Sequence, residues 1–384
     1  MTIFLGCYTD ATHANGLKAL ELDVATGKMS VVAEYRVSNA LYQALSPDGR
    51  WLYSCSGEGL AAFDLSRIKC CQSENVAKAN VSSDQLELDI GLGTRRCVCH
   101  VAAMPGGKRV VFADYLGGFA GSVAVEGGKF GEPVIHRHNG SGPNLPRQDA
   151  AHCHQAIPLP DGSGYAVCDL GLDEIVEYPS GRVFKTTPAG AGPRHLLFHP
   201  NGRLAFLVSE LGSLITSLSW SPADGFRTLY TLSTVAKSDA QIKKCCNCEN
   251  VASTNANDQL GIGNTGIGNN STLATFNLAA AIRFTPDLKR VVVSNRGENS
   301  LVAFDFDEAT GRLSFKARTL LSGSWPRDFV FVNDTLALVA LERSGEVHAL
   351  SYNPGTSMFT RLSILSGLFR PVALTPHKTS LPDM

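Results

Sequence analysis

Apolar residues along this chain fall in short runs, about four to eight residues long, each closed by glycine, proline, asparagine or aspartate. Val291-Val292-Val293-Ser294 and Leu301-Val302-Ala303-Phe304-Asp305 are examples. Turn signals return every 8–12 residues or so, a rhythm that argues for antiparallel strands and against helices. The turns themselves repeat. Leu45-Ser46-Pro47-Asp48-Gly49 is echoed by Met104-Pro105-Gly106-Gly107, Leu159-Pro160-Asp161-Gly162, His199-Pro200-Asn201-Gly202 and Thr285-Pro286-Asp287.

Each turn opens a unit of the same order: apolar strand, turn, apolar strand, glycine turn, strand ending in Asp, Gly-Lys/Arg turn, fourth strand. A spacing of about 45 residues is the length of a four-stranded propeller blade. Counting the units predicts an all-β, seven-bladed β-propeller with four-stranded antiparallel blades, as one unit over residues 1–384. Blades two to seven begin near Ala40, Arg96, His152, Arg194, Ala280 and Arg327. Blade one is then closed by both ends of the chain, its outer strands from the first 36 residues and its inner strand from Pro371 to Pro376. That closure removes the exposed edges of an open array.

Two insertions, at about 66–84 and 237–275, break the period. They resemble each other: Cys70-Cys71-Gln72-Ser73-Glu74-Asn75-Val76-Ala77 against Cys245-Cys246-Asn247-Cys248-Glu249-Asn250-Val251-Ala252. No Cys-x2-Cys pair is completed by a matching His pair, so the expectation is surface loops without a metal. Gly261 to Gly268 imitates a phosphate loop but precedes no helix and carries no Lys.

Composition narrows the function. With 44% hydrophobic and 18% charged residues the chain can bury a large core, and a net charge of -1 gives no reason to expect a nucleic-acid or membrane partner. No segment approaches the roughly 18 apolar residues of a membrane helix, and the first residues lack a signal-peptide pattern. Eleven scattered cysteines read as thiols of a reducing compartment, so the expected location is cytoplasmic. A closed ring needs no partner, and a monomer is expected.

Candidate chemistry is concentrated between Arg147 and Glu210. His152 and His154 stand two apart where a strand begins, which predicts that both face the same side. Arg194 and His195 take the corresponding place one blade later. Glu210 and Arg296 each follow an apolar second strand, on loops that reach toward the same opening. Arginine matches phosphate or carboxylate with bidentate geometry, so the set suits a small anionic substrate. Opening a lactone needs a base for water and a clamp for the oxyanion. His154 or Glu210 is the candidate base, and Arg194 and Arg296 the clamp. The plain alternative is an Arg194–Glu210 ion pair that only bridges blades.

The same residues carry a resemblance. His138-Asn139-Gly140-Ser141-Gly142-Pro143 with Arg147-Gln148, His152-Cys153-His154, Asp169-Leu170-Gly171-Leu172-Asp173, Gly192-Pro193-Arg194-His195, Ser209-Glu210-Leu211, Ser294-Asn295-Arg296-Gly297 and Trp325-Pro326-Arg327-Asp328-Phe329 are similar, in order and spacing, to the lactonase family of seven-bladed propellers. Bacterial 6-phosphogluconolactonases and fungal carboxy-cis,cis-muconate cyclases belong to it. The resemblance implies His154, Arg194, Glu210 and Arg296 as catalytic, with His152, His195, His100 and Arg327 binding substrate, and no cofactor. It implies a hydrolase acting on 6-phosphogluconolactone. A muconate-type lactonising cyclase, or a non-catalytic propeller binding a protein or a sugar acid, are the alternatives.

Overall fold

The computed structural model describes residues 1–57, 59–67, 85–89, 96–235 and 277–377. The expected insertion at 237–275 lies outside the described residues, as does all of 66–84 beyond Arg67.

Seven four-stranded antiparallel sheets make up the described chain. Their innermost strands are Gln43–Leu45, Val98–Ala103, Cys153–Pro158, Pro193–Phe198, Leu278–Phe284, Pro326–Phe331 and Pro371–His377. The last of these pairs with Thr2–Cys7, so blade one does join the two ends of the chain.

The apolar core shows that the ring is closed. It divides into seven clusters, each shared between neighbouring blades, where an open row of seven blades would have only six such interfaces. Blades seven and one meet through Leu338 and Val347 against Ile3 and Leu5. Burial on both faces explains the continuous apolar runs in the sequence. Val291, Val292 and Val293 lie in a second strand and are all fully buried, so that strand has no need to alternate. Outer strands such as Met358–Leu365 do alternate, leaving Leu362 and Ile364 exposed.

The repeated turns have a backbone reason. Gly49, Gly162 and Gly202 sit at φ of 70°, 72° and 69°, a left-handed conformation that a Cβ disfavours. Thr285-Pro286-Asp287 forms the same turn with Leu288 at φ 57°, so there a leucine takes the left-handed position that glycine fills in the other copies.

Candidate functional site

Side chains reach the channel through an irregularity repeated from blade to blade. In six inner strands the pairing register with the second strand slips near the start. The residues skipped are Val372, Cys99, His154, Arg194, Ala280 with Ala281, and Arg327. A β-bulge of this kind re-aims a side chain out of the pleat. Val372, Cys99, His154, Arg194 and Arg327 all line one cleft, together with Leu41, Tyr42, His195 and Asp328. The cleft is narrow: its space for water-sized groups is about 10 Å³, and the wider 260 Å³ around its lining includes open solvent. One wall is apolar and thiol, the other cationic and imidazole.

A second tier comes from the end of each second strand. Glu210, Glu342, Tyr115 and Tyr8 each donate a backbone N–H to the residue two before the skipped one: Gly192, Trp325, Cys97 and Arg370. Arg296 ends the corresponding strand of blade six.

The two tiers meet at Glu210. Its Oε2 lies 3.0 Å from Arg194 Nε and 2.8 Å from Arg296 Nη2, and its Oε1 lies 2.8 Å from Arg147 Nη2. Burial alone would raise the carboxyl pKa, but Arg296, Arg147 and Arg194 outweigh it and hold Glu210 well below its usual range. Arg194 also donates to the Ala280 carbonyl at 2.7 Å, and Arg296 to the Ala279 carbonyl at 3.1 Å. Alanine at both skipped positions of blade six leaves room for these guanidiniums. Burial first, then repulsion from Arg296, brings Arg194 down to about 9, and it stays charged at neutral pH.

His154 is the buried imidazole beside this cluster, with Nε2 3.9 Å from Glu210 Oε2. Burial, then Arg194, pushes its pKa well below 6.5. At neutral pH it therefore carries a lone pair. Its Nδ1 is buried and makes no hydrogen bond, and the same is true of Arg296 Nε. Each such orphan costs about 1–3 kcal/mol, which a polar ligand in the cleft would recover.

From His154 the rings of His195 and then His100 follow edge to face, at centroid separations of 5.3 Å and 5.6 Å. Tyr42 stacks on His100 at 4.1 Å. Its hydroxyl accepts from Arg283, which also binds Asp328 at 2.7 Å. Burial, followed by nearby arginine charge, lowers both histidines, His100 to about 3.

Of the residues expected from sequence, His154, Arg194, Glu210 and Arg296 converge, with His195, His100 and Arg327 adjoining. His152 stands apart from them. The strand begins at Cys153 and the bulge skips His154, so the two histidines do not share one side as their spacing predicts. His152 is held by the Tyr115 carbonyl at 2.9 Å and Asp149 at 3.0 Å, stacked on the Tyr115 ring. Arg147 was read only as part of a motif, without a role, and Tyr115 was missed. Tyr115 meets His154 edge-on, and its hydroxyl accepts from Arg147 at 3.2 Å. Tyr115 could have been found by its position, which matches that of Glu210 in its own blade.

One group of metal-binding character occurs among the described residues: His138, Cys153 and Asp169, whose ligand atoms lie within 4.8 Å of one another. These atoms are already committed. Asp169 accepts from His138 at 2.8 Å and from the backbone of His152, Gly171 and Leu172, and burial raises the Cys153 thiol well above its usual range.

A profile described as Lactonase, 7-bladed beta-propeller, matches residues 2–367. The chain belongs to this lactonase family. It is 27% identical over 377 residues to the 6-phosphogluconolactonase of Bacillus subtilis, covering 92% of this chain and 94% of that one. It is 30% identical over 343 residues to an uncharacterised protein of Lactococcus lactis, covering 86% and 85%. The solved structure of the periplasmic gluconolactonase of Pseudomonas aeruginosa superposes with a TM-score of 0.77 at 21% identity, over 97% of this chain and 98% of that one, and agrees in fold. No helix among the described residues is long and apolar enough to cross a membrane.

Proposed function

We propose that this lactonase hydrolyses the cyclic ester of a sugar acid, with 6-phosphogluconolactone as first candidate, and that it works as a single propeller and a monomer. The observation that carries the reading is buried His154, its Nδ1 without a hydrogen bond, lining one cleft with Arg194. Water attacks the lactone carbonyl while His154 takes one of its protons. Arg194 stabilises the oxyanion that forms, as a pre-placed donor does in acyl transfer. When the ring C–O bond breaks, the proton on His154 passes to the departing alkoxide, and the open acid leaves. Glu210 is a poor base in this scheme because both its oxygens bind guanidinium. Its role is to hold Arg194 and Arg296 in place. The residues named need no metal or organic cofactor for these steps.

Support also comes from the relative in Bacillus subtilis, whose name is that of this activity. A cytoplasmic setting fits the six described cysteines, all free thiols. The deciding experiment follows acid release from 6-phosphogluconolactone above its spontaneous rate, with His154→Ala as control. Equal rates with and without protein reject the reading. The lactonising cyclase is favoured only by the arginines, which would bind a dicarboxylate equally well. Loss of muconate diene absorbance tests it.

A further inference from the structure

The rim formed by blades seven and one carries a second cationic group. Arg327 and Arg370 both bind the buried carboxylate of Glu342, Arg327 at 3.2 Å. The same two guanidiniums lie over the ring of Tyr8, at 5.3 Å and 4.0 Å from its centroid. Arg327 also lines the cleft that holds His154 and Arg194, so the two cationic groups share one hollow. Arg370 is half exposed, and part of its guanidinium remains open to solvent.

Backbone strain marks the same place. Three inner strands begin after a residue at positive φ followed by proline: Gly192 at 67°, Trp325 at 70° and Arg370 at 45°. Glycine is the residue this conformation favours, and a side chain there is strained. Blades seven and one accept that strain to place a tryptophan and an arginine on the rim. Strain kept in this way is a mark of function when the side chain has a task there.

Charge points to the task. Arg147, Arg194, Arg296, Arg327 and Arg370 share only the carboxylates of Glu210 and Glu342, a net excess of three positive charges. A developing oxyanion accounts for one. We infer that Arg370 and Arg327, set on Tyr8 and Glu342, form a recognition subsite for an anionic group that the substrate carries away from its reacting carbonyl, either a phosphate monoester or a second carboxylate. This rests on the lactonase reading above and adds to it the residues that select a lactone with a charged tail over a plain one. Guanidinium suits either group through paired N–H donors.

The test compares 6-phosphogluconolactone with glucono-1,5-lactone on the full chain. In Arg370→Gln the ratio of kcat/KM for the phosphorylated over the plain lactone should fall about tenfold or more, and Arg370→Lys should restore part of it. An unchanged ratio overturns the inference. Should the unaltered protein open neither lactone, the hydrolase reading fails but the subsite is still tested by binding. Thermal shifts are then measured with 6-phosphogluconate, glucarate and gluconate. Greater protection by either acid with a second anionic group than by gluconate, lost in Arg370→Gln, supports the subsite, and the stronger of the two identifies phosphate or carboxylate. Equal protection by all three overturns it.

Discussion

Arg194 Nε and Glu210 Oε2 lie 3.0 Å apart, both almost fully buried, on the first strand of a blade and just past its second. This contact alone would be the inert blade-bridging pair that the sequence also allowed. Its surroundings make the difference. The same oxygen binds Arg296, and the residue skipped one blade away is a histidine with an unpartnered nitrogen.

Glu210→Gln should leave three guanidiniums without their counter-charge. Removing one partner of a buried pair costs about 3–5 kcal/mol, so the midpoint of urea unfolding should drop clearly. Arg147→Gln, whose side chain is 39% exposed, should cost no more than about 1 kcal/mol in the same experiment.

His154→Ala should lower kcat for lactone opening about 10²- to 10⁴-fold, the usual worth of a general base, while circular dichroism stays that of the parent. Because burial and Arg194 depress the imidazole, the acid limb of kcat/KM should lie well below pH 6.5. A limb at or above that pH would show that another group takes the proton.

Stability should fall as pH drops below about 6.5. His100, His154 and His195 all titrate lower in the fold than in the unfolded chain. Between those values the unfolded state binds more protons, so stability is complete above pH 6.5 and is lost on acidification toward the folded pKa, about 3 for His100. Each group adds up to about 1.4 kcal/mol per pH unit to the slope. Replacing His100 by Asn should flatten the dependence of Tm on pH between 6 and 4.

Arg194→Lys should cut kcat/KM about 10²- to 10³-fold, comparable to losing one oxyanion donor. An ammonium has a single branching point and cannot hold Glu210 and the Ala280 carbonyl in the same fixed fork. Single-turnover rates would separate this loss from weaker binding.

Much of the architecture was legible in the chain. Blade starts expected near Arg96, His152, Arg194 and Arg327 fall within two residues of the strands at Val98, Cys153, Pro193 and Pro326. Turn chemistry repeats visibly, and a ring of like units follows from its period. The parity of the inner strands was not legible. A one-residue slip leaves no hydrophobic signature, so alternation placed His152 beside His154, where the bulge separates them. Arg147 showed no role in the sequence for another reason. It sits in a loop between blades, and only the folded ring brings it across 63 residues of chain to Glu210.

The strand Pro371–His377, seated innermost against Thr2–Cys7, also dictates an order of assembly. A polypeptide made from its amino end holds Thr2–Cys7 without an inward neighbour until Pro371–His377 has been synthesised. Val372, which walls the cleft, and Arg370, which pairs with Glu342, come with the strand that closes the ring. Pairings this distant in sequence form slowly. Clipping the final fourteen residues, 371–384, would therefore undo the clasp and breach the hollow at once, while leaving almost every ionisable group named above on the chain.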